Sequence, residues 1–299
     1  MSRPQNFYNK QFRRSFAGQD LRSLTDDELR EKLREILEGG IHGICYSAYE
    51  EGQEPGSILT EDQIRRRMEI IAPYTKWVRS FSCIEGNELI PKVAKEFGIK
   101  TLVGAWIGDD RDLIEEEIAG LLKLADAGLV DIAAVGNEVL YRKEMSQGDL
   151  IGYIERVKNA LPNVEVGYVD AYYEFSACPD ITNICDVILA NCYPYWEACH
   201  IDYSLIHAKQ MYYMAKAAGQ GKKVIVTETG WPSQGTPLDD AQPSWTNAAR
   251  YFISMQEWSR QENIEMFYFT SFDESWKVGA EGDVGAYWGI WDKDGKLKF

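Results

Sequence analysis

Four apolar runs of this sequence end in a dense set of carboxylates, amides and aromatic rings. One closes as Val135-Gly-Asn-Glu-Val139, with Asn137 and Glu138 at its end, and another as Val226-Thr-Glu-Thr-Gly-Trp-Pro-Ser233, with Glu228 and Trp231. The third ends in Asn191-Cys-Tyr-Pro-Tyr-Trp-Glu197 and the fourth in Phe272-Asp-Glu-Ser-Trp-Lys277. Two carboxyls facing each other across a cleft suit the cleavage of a glycosidic bond. One stays protonated to assist the leaving oxygen, and the other attacks, or activates water, at the anomeric carbon. A separation of roughly 5 Å gives retention and a wider one inversion. Mutual repulsion raises the proton affinity of the acid, and Lys277 is a candidate to hold its partner as a carboxylate. The tryptophans and tyrosines offer flat faces on which the axial C–H groups of sugars pack as on apolar surface.

Each residue taken alone also has a structural reading. A glutamate at a strand end serves as a cap or ion-pair partner, and Trp196, Trp231 and Trp276 serve as packing under loops. Glu274 and Lys277 make an ion pair at a helix start, and Tyr193-Pro194 makes a turn, with a cis bond as one option. Their concentration at four strand ends favours a site, because stability requires no such set.

The elements that would position these residues follow from periodicity. Apolar runs read as strands at Ile41–Tyr46, Trp77–Phe81, Thr101–Trp106, Asp131–Gly136, Val164–Val169, Val187–Cys192, Val224–Thr227 and Met266–Ser271. Helical patterns at 87–97, 112–127, 146–160, 203–218 and 244–261 separate most of them, with a weak link between Val169 and Val187. Thr25-Asp-Asp-Glu28 is a capping box that opens a helix over 26–38, stopped by Gly39-Gly40. Thr60-Glu-Asp-Gln63 is a second, opening a helix that ends near Pro73. Eight continuous apolar strands alternating with helices predict an α/β fold, a single (β/α)8 TIM barrel spanning residues 1–299, with 1–40 as an N-terminal extension and helix before the first strand. The 26–38 helix is expected to fill the place of the helix missing after the eighth strand. His42-Gly-Ile-Cys-Tyr-Ser-Ala is not a phosphate-binding turn, which argues against an open dinucleotide-binding sheet.

Composition narrows the function. With 32 Lys+Arg against 47 Asp+Glu the formal charge is −15, which repels a nucleic acid and is compatible with a neutral substrate. No stretch approaches 18 consecutive apolar residues, so no membrane span is expected. Residues 1–30 hold no apolar core of a secretory signal, although Arg3, Lys10, Arg13 and Arg14 precede the first acid, Asp20. Localisation is left open, cytoplasmic for the chain as written or extracellular after removal of a leader. Six cysteines without a CxxC pair read as buried thiols, and three histidines without an HExxH pattern argue against a catalytic metal site. No cofactor is expected.

The motifs Val135-Gly-Asn-Glu-Val139 and Thr227-Glu-Thr-Gly-Trp-Pro-Ser233, in that order on strands four and seven, resemble glycoside hydrolase family 17, the β-1,3-glucanase family. The resemblance runs from Gly43-Ile-Cys-Tyr46 to Trp288-Gly-Ile-Trp291. It implies retaining, double-displacement cleavage of laminarin-type β-1,3-glucan, with Glu138 as acid/base and Glu228 as nucleophile. The alternative it carries is a β-glucan transglycosylase using the same two glutamates. It further implies that Asn137 contacts the sugar 2-OH, that Tyr46 and Tyr193 line the cleaving subsite, and that Glu274 and Lys277 support the nucleophile's charge. Arg79 matches the family's strand-two arginine and would orient carboxylates from below. Tyr195-Trp196-Glu197 is similar to a segment of fungal and bacterial members, where Trp196 and Glu197 would hold an acceptor sugar, and Trp231 is a further binding candidate. The expected partner is a β-glucan chain, bound by a monomer. Cys45 and Ser47 stand where many relatives have Asn and Gly.

Overall fold

Thr25 opens the first helix from both sides of its cap. In the computed structural model, which describes residues 20–299, the Glu28 N–H donates to the Thr25 hydroxyl at 3.3 Å and the Thr25 N–H donates to the Glu28 carboxylate at 2.7 Å. Helix α1 (Asp26–Glu38) buries Leu29, Leu33, Ile36 and Leu37, a stripe at helical spacing. The part of the expected extension before residue 20 lies outside the described residues. The second cap forms differently. Thr60 accepts the Gln63 N–H, but the Gln63 side chain turns into the core and donates to the Ala48 carbonyl at 2.6 Å. Helix α2 (Glu61–Ile71) ends before Pro73, as the proline requires.

Eight parallel strands pair in chain order and close into a barrel: β1 (Ile41–Cys45), β2 (Thr75–Ser80), β3 (Lys100–Ala105), β4 (Ile132–Asn137), β5 (Glu165–Ala171), β6 (Val187–Asn191), β7 (Lys223–Thr229) and β8 (Met266–Tyr268). The closing seam pairs Gly43 with Phe267 and Ile44 with Tyr268. Helices α3 (Leu89–Glu96), α4 (Arg111–Asp126) and α5 (Gln147–Ala160) follow β2, β3 and β4. The weak stretch between β5 and β6 holds two short helices, α6 (Glu174–Ala177) and α7 (Pro179–Ile184). Then come α8 (Ile201–Ala218) and α9 (Trp245–Glu262). Helix α1 packs on α9, where Arg260 donates to the Ile36 carbonyl and Lys32 pairs with Glu257.

The eighth strand is shorter than its apolar run. Beyond Tyr268 the Phe269 and Ser271 N–H groups still donate to the Thr229 and Cys45 carbonyls of β7 and β1, and the same stretch pairs with the chain's last segment, Thr270 N–H to the Trp288 carbonyl and Trp291 N–H to the Ser271 carbonyl. Among the described residues the cis peptide is Phe269–Thr270 and not the bond before Pro194. A 3₁₀ turn (Ser275–Lys277), helix α10 (Val278–Glu281) and a second 3₁₀ turn (Gly282–Tyr287) bridge the gap and wall one side of the barrel mouth. No described helix is long and apolar enough to cross a membrane.

Candidate active site

Glu138 stands just past β4, where the strand stops being regular. Its pairing with β5 shifts register between Ala134 and Asn137, Gly136 takes φ 84, and Glu138 itself sits at φ 54. A Cβ at position 136 would lie 2.9 Å from the Val139 side chain, so the bulge uses glycine's freedom. It turns the Glu138 carboxyl into a cleft of about 440 Å³ that Glu228 also lines. Asn191, ending β6, donates from Nδ2 to Glu138 Oε1 at 2.8 Å, and the Thr227 hydroxyl donates to Asn191 Oδ1 at 2.9 Å, which orients the amide. Burial first and the charge of Glu228 second push the Glu138 carboxyl up to about 7. The Asn191 N–H and the Arg142 charge pull the other way.

Glu228, on β7, pairs with Asn191 of β6 just past a shift of register at Ala190 and is buried. Its Oε1 accepts from Arg79 Nη1 at 2.5 Å and its Oε2 from the Tyr193 hydroxyl at 2.8 Å. Arg79 rises from β2 inside the barrel and gives Nη2 to Asn137 Oδ1 at 2.7 Å, with its guanidinium 4.3 Å from the Phe81 ring centre. One side chain thereby ties the ends of β2, β4 and β7 together. With the Asn137 carbonyl oxygen accepting from Arg79, its amide is held with its N–H groups free to serve a sugar. Cys45 lies under the same guanidinium, its thiol donating to the Thr227 carbonyl at 3.3 Å.

Three sequence-derived positions fall elsewhere. Tyr46 continues the β1 alternation, with its N–H on the Arg79 carbonyl. Its side chain points to α2, where the buried hydroxyl donates to the Ile64 carbonyl at 2.7 Å, and it does not line the cleft. Trp231 is buried against Tyr195 and Tyr251 and donates to the Gln242 carbonyl at 3.0 Å, so it packs the loop after β7. Lys277 does not touch Glu228. It pairs with Glu274 at 2.8 Å and lies 4.0 Å from the Phe269 ring centre, and the cation in direct contact with Glu228 is Arg79. Glu274, which also takes the Trp276 N–H, is buried in that pair.

Tyr193, Trp196 and Glu197 do line the cleft. Trp196 is 41% exposed with its ring 5.5 Å from that of Trp288, and Glu197 Oε2 lies 2.5 Å from His207 Nε2. Sequence reasoning did not single out Tyr141, Tyr172, Tyr173, Asn191 or Glu281, all of which share this wall. Asn191 had a signal, its place at the end of a strand. Glu281 had none, since it comes from α10, outside any strand. Burial pushes its carboxyl up to about 7 despite the nearby Lys277, and its buried Oε2 has no hydrogen-bond partner among the described residues.

The BtgE/BtgC glycoside hydrolase domain model matches residues 43–289. A glucan 1,3-beta-glucosidase of Candida albicans is 24% identical, over 78% of this chain and 83% of its own. The solved glycoside hydrolase family 17 beta-1,3-glucanosyltransferase from Rhizomucor miehei is 30% identical, with TM-score 0.76 over 87% of this chain and 96% of its own. An active-site mutant of Rhizomucor miehei beta-1,3-glucanosyltransferase, in complex with laminaritriose, is 29% identical with TM-score 0.78 over the same shares, 87% and 96%. The matched span contains all eight strands save the first residues of β1, and both glutamate motifs fall inside it. The chain therefore belongs to glycoside hydrolase family 17, and its barrel is a BtgE/BtgC glycoside hydrolase domain.

Proposed function

We propose that this protein cleaves β-1,3-glucan with retention, acting as a single catalytic domain in which Glu138 is the acid/base and Glu228 the nucleophile. Glu228 attacks the anomeric carbon while Glu138 gives its proton to the departing glycosidic oxygen, leaving a glycosyl ester on Glu228. Glu138, now a carboxylate, takes a proton from water as the water oxygen attacks the same carbon and releases Glu228. The observation that carries this reading is the contrast between two carboxyls of one cleft. Glu228 is in direct contact with a guanidinium and a phenol hydroxyl, whereas Glu138, half-buried in the same cleft, has only an amide donor and its carboxyl is pushed up to about 7. The substrate class follows from the names of the relatives, which act on 1,3-beta-glucan.

A second reading, transfer to a sugar acceptor, is favoured by the aromatic wall that Tyr172, Tyr173 and Trp196 extend along the cleft beside Glu197. A well-built acceptor site competes with water through proximity. The test is the mass-resolved product profile from a linear β-1,3-gluco-oligosaccharide of defined length. Shorter products alone mean hydrolysis, products longer than the substrate mean transfer, and an unchanged substrate overturns the reading. Trp196→Ala is expected to lower transfer by roughly tenfold while hydrolysis falls less, as loss of one stacked aromatic contact would give. Equal loss of both would make Trp196 a packing residue.

A further inference from the structure

The turn that carries Glu138 is gripped by three successive residues of β5. The Glu138 N–H donates to the Val169 carbonyl at 2.8 Å, the Leu140 N–H to Tyr168 Oη at 2.9 Å, and the Tyr141 N–H to Asp170 Oδ2 at 3.4 Å. Tyr168 and Asp170 stand two apart, on the same face of the strand. The Tyr168 O–H donates to Asp170 Oδ2, and the Ala171 N–H donates to Asp170 Oδ1 at 2.7 Å. Both side chains are fully buried. A buried carboxyl is costly unless it serves donors, and two of those served here, the Tyr168 hydroxyl and the Tyr141 N–H, hold the Glu138 turn. That turn needs holding, because a glutamate at φ 54 persists only where its surroundings fix it.

We propose that Tyr168 and Asp170 are the positioning pair of the acid/base: they fix the turn that carries Glu138, and the buried charge of Asp170 keeps the Glu138 proton in place. The proposal rests on the reading of Glu138 given above. The charged groups acting on Glu138 are Glu228 from β7, Asp170 from β5 and Arg142 from its own loop, and Glu174 of α6 acts in turn on Asp170. Burial pushes the Asp170 carboxyl up to about 6, and in its charged form it opposes ionisation of Glu138. Removing that charge leaves Arg142 less opposed, and Glu138 then loses its proton at lower pH.

The experiment is the pH profile of kcat and kcat/KM on a linear β-1,3-gluco-oligosaccharide for the wild type, Glu138→Gln, Asp170→Asn and Tyr168→Phe. In Asp170→Asn the alkaline limb of kcat/KM is expected to move to lower pH by roughly half a unit or more, as loss of a neighbouring charge gives. At neutral pH kcat is expected to fall by about tenfold with KM nearly unchanged, since the group acts through the acid and not on bound sugar. Tyr168→Phe, which removes only the hydroxyl that Leu140 uses, lowers kcat severalfold. An Asp170→Asn limb superimposed on that of the wild type overturns the proposal. So does an unchanged kcat in Tyr168→Phe, which decides the matter alone if Asp170→Asn does not fold. Full activity in Glu138→Gln would instead overturn the acid/base reading, and this inference with it.

Discussion

Glu228 and Glu138 open on the same cleft from β7 and β4, yet their surroundings differ in kind. The β7 side is a network of permanent partners: Arg79 reaches Glu228 from β2, and Tyr193 reaches it from beyond β6. The β4 side is a bulged turn in which the half-buried Glu138 has one amide donor and another carboxylate for a neighbour. The same side chain is thereby given two chemistries. On the proposed reading, a guanidinium on one carboxyl and only an amide donor on the other separate a nucleophile from an acid without a difference in residue type.

The comparison can be broken at either end. The largest effect is expected from Glu228→Ala, which removes the nucleophile. Turnover should fall by roughly 10⁴-fold or more while sugar binding, followed by calorimetry, stays close to wild type. Substantial residual turnover would end the nucleophile assignment. Arg79→Met is next, because it strands a buried carboxylate. A loss of about 3–5 kcal/mol in urea unfolding is expected, together with a deep fall in kcat/KM. A stable, active variant would mean that Glu228 does not depend on its ion pair.

On the other side the effects are smaller and more selective. Glu138→Ala should keep slow reaction on aryl glucosides with very good leaving groups, which need little acid help, and azide should rescue it to a β-glycosyl azide. Failure to form that azide would remove Glu138 from the acid/base role. With Glu138 at about 7, the wild-type kcat/KM should hold below that pH and decline above it, as the acid form is lost. Asn191→Ala withdraws a donor that favours the carboxylate, so the limb should move to higher pH by less than about one unit. Movement in the opposite direction would mean that the amide works mainly through packing.

Much of this was legible in the sequence because two kinds of signal are local. Continuous apolar runs set the strands, and capping residues set the starts of α1 and α2. Glu138 and Glu228 were visible as polar endings to those runs. Direction was not. Tyr46 and Trp231 also follow strands, but whether a ring after a strand enters the cleft or folds back onto a helix depends on the space left by α2 and by the loop at Gln242. Arg79 was expected to orient carboxylates and does contact Glu228, whereas Lys277, expected to support the same charge, pairs with Glu274 instead, because spacing along the chain says nothing of which carboxyl an ammonium will reach. Asp170 sits inside an apolar strand and Glu281 in a short helix of the last excursion. Neither carries a spacing that marks it, and only the closed barrel brings them to the site.

The left-handed backbone at Glu138 has a bearing on how this chain would drift if its activity ceased to matter. Glycine and asparagine tolerate that conformation better than glutamate does, and neither would bring a large carboxyl into the cleft wall beside another. Stability and catalysis therefore ask for different residues at position 138. A descendant freed from selection for activity is expected to become more stable by replacing that glutamate. A glutamate kept at that position is a sign of a working enzyme.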